Sequence, residues 1–186
     1  MTAVLSRRSE HPLVEPAPGD QEFAYLLRAA ATAPDHGGLR PWRLILIRDE
    51  GRAALERCLA DASAQAGPGR EWREEIQGAP LLAAVVFSPV THGRTGQGGL
   101  PVPEWEQLAA AGAMTDSLTL LLHARGFGSV WRTGAFTGSG RIRRVLGLSG
   151  EERLLGWLCV GTPPRSRCAQ RRVPADVTDR ISVFSP

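Results

Sequence analysis

An α+β domain is the fold class that this sequence predicts, and three stretches predict it. LLAAVVF at 81–87 and LLGWLCV at 154–160 are almost continuous apolar runs of strand length, as expected of strands covered on both faces. Residues 104–125 have a helical pattern that is apolar over so much of its circumference that the helix belongs centrally. No repeat and no interior linker divides the chain, so residues 1–186 read as one domain, long enough to bury a sizeable core.

Taken in order, TAVLSRRS at 2–9 reads as a short helix with Val4 and Leu5 on its apolar side and Arg7, Arg8 and Ser9 at its end. Pro12, Pro16 and Pro18 then enforce an extended segment. Asp20 suits the N-cap of the next helix, because its carboxylate can accept orphan amide hydrogens of the first turn. Phe23, Leu26, Leu27, Ala30 and Ala31 mark the buried face of that helix, which Pro34 stops. Residues 42–48 predict a strand, and residues 50–65 a helix with Leu55, Cys58, Leu59 and Ala62 on one stripe.

Gly67, Pro68 and Gly69 break this helix, and a short helix at 72–77 leads to Pro80 and the first buried strand. Residues 91–101 hold four glycines without periodicity and predict a mobile loop, suited to a lid. Pro103 fits the first turn of the central helix, whose pattern runs through Trp105, Leu108, Ala111, Leu118, Leu121 and Leu122 to Gly126 as its C′ residue. Residues 128–133 predict a short strand and 139–146 a helix. The tail from Gly161 is rich in Arg and Pro and ends in ISVF, which can add to a sheet but cannot fold alone.

Composition narrows the chemistry. The chain is 42% apolar and 22% charged, as in folded soluble proteins. All 22 basic residues are Arg. Without Lys there is no Schiff base, no Walker phosphate lysine and no lipoyl or biotinyl attachment, since each requires an amine. The Arg residues are scattered, so a pI near 9.2 describes a solvated basic surface and not a nucleic-acid footprint. Cys58, Cys159 and Cys168 lack CxxC spacing, which predicts neither a zinc site nor a disulfide framework. No basic start followed by an apolar stretch precedes the domain, and no window of about 18 apolar residues suggests a membrane span, so a cytoplasmic location is expected.

The stretch RAAATAPDHGGLRPW at 28–42 organises the reading. It ends a helix at Pro34, offers Asp35 and His36, bends through Gly37 and Gly38, and re-enters at Pro41 and Trp42 before the strand RLILIR. Four further segments accompany it: RRS at 7–9, PEWEQ with the long helix at 103–126, GFGSVWRTGA at 126–135, and GTPP near 161. In this order and spacing, the chain resembles the FMN-dependent nitroreductase family over nearly its whole length, and most closely the family's short branch of NAD(P)H nitroreductases.

That resemblance implies a mostly antiparallel central sheet flanked by helices, assembled as a homodimer around FMN. It implies that Arg7, Arg8 and Ser9 serve the phosphate and ribityl end, and that Arg172, with Arg165, Arg167 and Arg171 as neighbours, reaches the same phosphate. Arg suits this task, because its planar and permanently charged fork matches phosphate oxygens. Trp131, Arg132 and Thr133 resemble the segment that lines the flavin ring, and Thr32 and His36 match positions that face the flavin from the partner subunit. The chain departs from many members in having Gly38 for Asn and Arg40 for Gln.

The implied activity is two-electron reduction of nitroaromatic, quinone or related small-molecule acceptors by NAD(P)H, in ping-pong order. Alternatives are a flavin reductase or biosynthetic dehydrogenase on the same fold, or a flavin-free interaction protein. No protein residue is expected to act as a catalytic nucleophile, no metal is expected, and neither nucleic acid nor membrane is an expected partner. The proline-rich arm and the Arg-rich tail bury too little within one subunit, which also favours a dimer. Glu104 and Glu106, two apart on one helix, do not face each other and read as surface charges. No GxSxG elbow supports a hydrolase.

Overall fold

The computed structural model describes residues 2–63, 76, 78–91, 101–164 and 172–184. Strands β1 (Trp42–Ile47), β2 (Leu81–Phe87), β3 (Gly128–Arg132) and β4 (Arg153–Gly161) form one sheet in the order β1-β2-β4-β3. Every neighbouring pair is antiparallel. The helices are α1 (Thr2–Ser6), α2 (Asp20–Ala30), α3 (Asp49–Ser63), α4 (Glu104–Ala124) and α5 (Gly140–Val145).

The unbroken apolar run of β2 is explained by its two neighbours and two covered faces. Leu82, Ala84 and Val86 pack with Leu55 and Cys58 of α3 and Ile142 of α5. Leu81, Ala83 and Val85 pack with Phe23 and Leu26 of α2 and with Met114, Leu118 and Leu122 of α4. The result is three layers, α3 and α5 on one face and α2 and α4 on the other. Met114, Leu118 and Leu122 are completely buried, so truncating one to Ala would cost about 2–5 kcal/mol.

A bulge shapes the β3 edge. Val85 pairs with Gly156 and Val86 with Leu154, which leaves Leu155 as the extra residue. At Gly156 φ is 155°, and a Cβ there would lie 2.4 Å from the Arg132 carbonyl oxygen and 2.7 Å from Trp131 Nε1. Only glycine lets β3 approach this closely.

Several expectations are corrected. The proline-rich arm is tied to its own subunit and so gives no reason for a dimer. Leu13 is buried, the Glu10 amide donates to Ser129 (3.2 Å), and Val14 and Thr162 exchange backbone hydrogen bonds of 2.8 and 2.7 Å. Gly19, not Asp20, is the N-cap of α2, and Asp20 instead accepts from Arg48 Nε at 3.0 Å. The first helix stops at Ser6, and Val4 is exposed. Trp105 and Leu108 face outward from α4. Ile181, Val183 and Phe184 are exposed and outside the sheet. The expected loop at 92–100, most of the short helix at 72–77, and Arg165, Arg167, Cys168 and Arg171 lie outside the described residues.

Candidate functional site

Seven of the nine expected site residues belong to segments that meet at one edge of the sheet. Ser9 forms a parallel bridge with Ser129 of β3, which places the end of the Arg7–Ser9 turn alongside the strand that carries Trp131 and Arg132 and leads to Thr133. The Arg172 amide donates to the Leu5 carbonyl at 2.8 Å, which brings the tail back to the same turn. Arg8 braces the turn, its Nη1 donating to the Leu5 and Arg7 carbonyls at 3.2 Å each. Among the described residues, the Arg7 guanidinium makes no hydrogen bond or ion pair. A cationic and hydroxyl-bearing turn with an uncommitted guanidinium has the donor chemistry of a phosphate site.

α1, which carries this turn, is pinned to the C-terminal end of α4. Ser6 Oγ donates to the Thr2 carbonyl (2.8 Å) and lies 2.7 Å from His123 Nε2. The single hydroxyl proton is used on Thr2, so His123 Nε2 is the donor in the second contact. Trp131 packs into the sheet edge. Its indole nitrogen is tucked against Gly156 and, among the described residues, meets no acceptor, while the side chain packs on the α2 and α4 layer.

Thr32 and His36 stand elsewhere. Thr32 Oγ1 donates to Ala29 at 2.8 Å, beside Ser117, Leu120 and Leu121 of α4. His36 lies in the loop after α2, where Gly37 and Gly38 have φ of 78° and 60° and Arg40 has φ of 50°. Asp35 stabilises this turn by accepting the Arg40 amide at 2.7 Å and, through its carbonyl, the Gly38 amide at 3.0 Å. His36 Nδ1 is 2.6 Å from Glu106 Oε2, in the first turn of α4. Sequence reading missed this partner, because 70 residues separate the two in the chain.

From Glu106 to His123 the rise along α4 is about 25 Å. Within the chain, therefore, the His36 loop and the helix that leads into Arg7 sit against opposite ends of α4. Between them, α4 presents a face of Trp105, Leu108, Ala109, Gly112, Ala113 and Leu120 that the chain leaves partly or wholly exposed. A Cβ added at Gly112 would meet nothing within 4 Å.

Gln107, also absent from the expected site, organises the first turn of α4. Buried to 4% exposure, it accepts the Val90 amide (2.8 Å) and donates to the carbonyls of Val102 (2.9 Å) and Val90 (3.2 Å). One amide thus fastens both stems of the 91–101 segment. On the opposite side of the sheet, Glu152 accepts two bonds from Arg43 (2.6 and 2.9 Å) and one from the Ser149 amide (2.9 Å). The Arg43 guanidinium, above all, holds the Glu152 carboxyl at about 2. This pair is a fastening between β1 and the start of β4, far in role from the Arg7 turn.

The antiparallel sheet between two helical layers, with a cationic turn at one sheet edge, places the chain in the α+β class. The chain belongs to the nitroreductase family, whose model matches residues 4–162. It is 32% identical over 181 residues to the Escherichia coli K12 protein named "Putative NAD(P)H nitroreductase YdjA", covering 97% of each chain. The fold is similar to that of a nitroreductase-like family protein from Bacillus cereus (TM-score 0.80, 22% identity, 100% of this chain and 95% of that one). It is also similar to NfnB of Sphigopyxis sp. strain HMH, described as an FMN- and NADPH-dependent nitroreductase (TM-score 0.74, 19% identity, 100% and 98%). Among the described residues, no helix is long and apolar enough to cross a membrane.

Proposed function

We propose that this chain is an FMN-dependent oxidoreductase that uses NAD(P)H to reduce nitroaromatic, quinone or related acceptors, acting as a homodimer. The observation that carries the reading is the convergence of the Arg7–Ser9 turn, Arg172 and β3 on one edge. Arg7, Ser9 and Arg172 would bind the phosphate, with Arg8 bracing the turn and adding charge. Arg132 and Thr133 would border the ring, over the platform that Trp131 and Gly156 set. Bound FMN would supply the redox chemistry, taking a hydride from NAD(P)H and passing two electrons to the acceptor.

The dimer follows from the length of α4. If His36 and Arg7 serve one small cofactor, they come from different subunits, because one subunit holds their segments at opposite ends of a helix about 25 Å long between contacts. Apposition of two α4 helices in opposite directions would bring the His36 loop of one subunit toward the Arg7 turn of the other. The outward residues Leu108, Gly112 and Leu120 give α4 a partly apolar face, with exposed Asp116 among them, and Gly112 leaves room for a second copy of the helix to pack there, while Trp105 lines the groove beside His36.

Donor and acceptor must each come within about 3–3.5 Å of the same reactive centre. If one side of that centre is closed by the segment from Trp131 to Thr133, NAD(P)H and acceptor must use the other side in turn, which would give ping-pong kinetics. Steady-state rates of the flavin-loaded protein test this. Parallel reciprocal plots for NAD(P)H and a quinone are expected, and intersecting plots would overturn the shared pocket.

A further inference from the structure

The groove beside His36 holds a paired imidazole and carboxylate. It has a volume of about 350 Å³ and is walled by Pro34, Trp105, Ala109 and Ala113, with His36 and Glu106 at its polar edge. Trp105 is 70% exposed, a large aromatic surface left open beside the His36–Glu106 pair. The other carboxylate there, Asp35, already accepts the Arg40 amide.

The pair fixes the state of the imidazole. An ionised carboxylate only accepts hydrogen bonds, so at 2.6 Å from Glu106 the His36 Nδ1 must carry a proton. In the neutral ring this leaves Nε2 as a lone pair, and in the protonated ring it makes Nε2 a donor. A histidine whose far nitrogen is held by a carboxylate and whose near nitrogen can take or give a proton is the arrangement of an oriented acid or base. Half-exposure of His36 keeps it in exchange with water.

We propose that His36, oriented by Glu106, delivers the proton to the oxygen of a planar aromatic acceptor seated against Trp105. The acceptor class is a quinone or nitroaromatic, whose ring fits the apolar wall and whose oxygen meets the polar edge. This rests on the oxidoreductase reading above and deepens it. Reduction of a quinone by two electrons adds a hydride equivalent, supplied from NAD(P)H through the cofactor, and one proton. The imidazolium Nε2–H bond breaks, the acceptor O–H bond forms, and His36 is left neutral with its proton on Nδ1. Water then restores the Nε2 proton. For a nitro group the same hydride and proton yield the dihydroxyamine, which loses water to the nitroso product. His36 is the catalytic residue and Glu106 a positioning residue.

Two measurements test this. The first compares menadione, which needs a proton, with ferricyanide, which takes electrons without one, in flavin-loaded parent, His36→Asn and Glu106→Ala. General-acid assistance is typically worth a hundredfold or more, so menadione turnover should fall at least about tenfold further than ferricyanide turnover in both variants. An equal fall with both acceptors, or none, would overturn the assignment. A parent that oxidises no NAD(P)H with either acceptor would overturn the oxidoreductase reading and this inference with it. The second reads the ring itself, in protein without added cofactor, by nitrogen NMR at a pH where His36 is neutral. The parent should show the Nδ1–H tautomer and Glu106→Ala should lose it; an Nε2–H tautomer in the parent would overturn the orienting role.

Discussion

Glu152→Gln removes the charge that joins β1 to the start of β4 while leaving a side chain of the same length. Arg43 is the main reason that the Glu152 carboxyl sits at about 2 and not at its ordinary 4.5. A displacement of that size corresponds to about 3 kcal/mol of linkage at neutral pH. The Arg43 side chain is 41% exposed, so water screens the pair from that side and about 1–3 kcal/mol is the expected loss. The sign follows from the depressed folded value: the contribution is complete above about pH 4.5 and disappears as pH falls toward about 2. Urea unfolding of parent and variant from about pH 7 to about pH 3 measures it. The gap between the two should be largest at neutral pH and narrow on acidification. A gap that stays constant through that range would refute the reasoning, because it would show that ionisation of Glu152 does not contribute.

Arg7→Ala should weaken FMN binding by roughly tenfold to a hundredfold while changing riboflavin binding little, since only FMN carries the phosphate; isothermal titration with both ligands checks this. Gly112→Arg has open space within the subunit, so it should preserve the thermal unfolding of the isolated chain yet shift light scattering from dimer to monomer. Gln107→Leu orphans the Val90 amide and two carbonyls, and denaturant unfolding should register a loss of about 1–3 kcal/mol.

What was legible in the sequence was what local pattern controls. β2, β4 and the central helix announced themselves because both faces of the strands are buried and most of the helix circumference is apolar. The errors have physical causes too. Asp20 is a good cap residue, but Gly19 occupies the cap position and Arg48 claims the carboxylate, a partner 28 residues away. Trp105 and Leu108 fit the helical pattern yet point outward, because an apolar position on a helix does not say whether its own subunit or another surface covers it. The Arg7–Ser9 turn was readable as chemistry, whereas its meeting with Arg172 depends on one long-range backbone bond to Leu5. The His36–Glu106 pair had no local signal at all, since loop and helix are joined only in the folded chain.

The proposed function depends first on the cofactor, and the visible absorption spectrum of the purified protein, followed by mass identification of the released chromophore, tests it most directly. The account predicts a yellow protein, or one that turns yellow when FMN is supplied, that releases FMN at about one per chain and is bleached by NAD(P)H. A correctly folded dimer that remains colourless after incubation with FMN would contradict it.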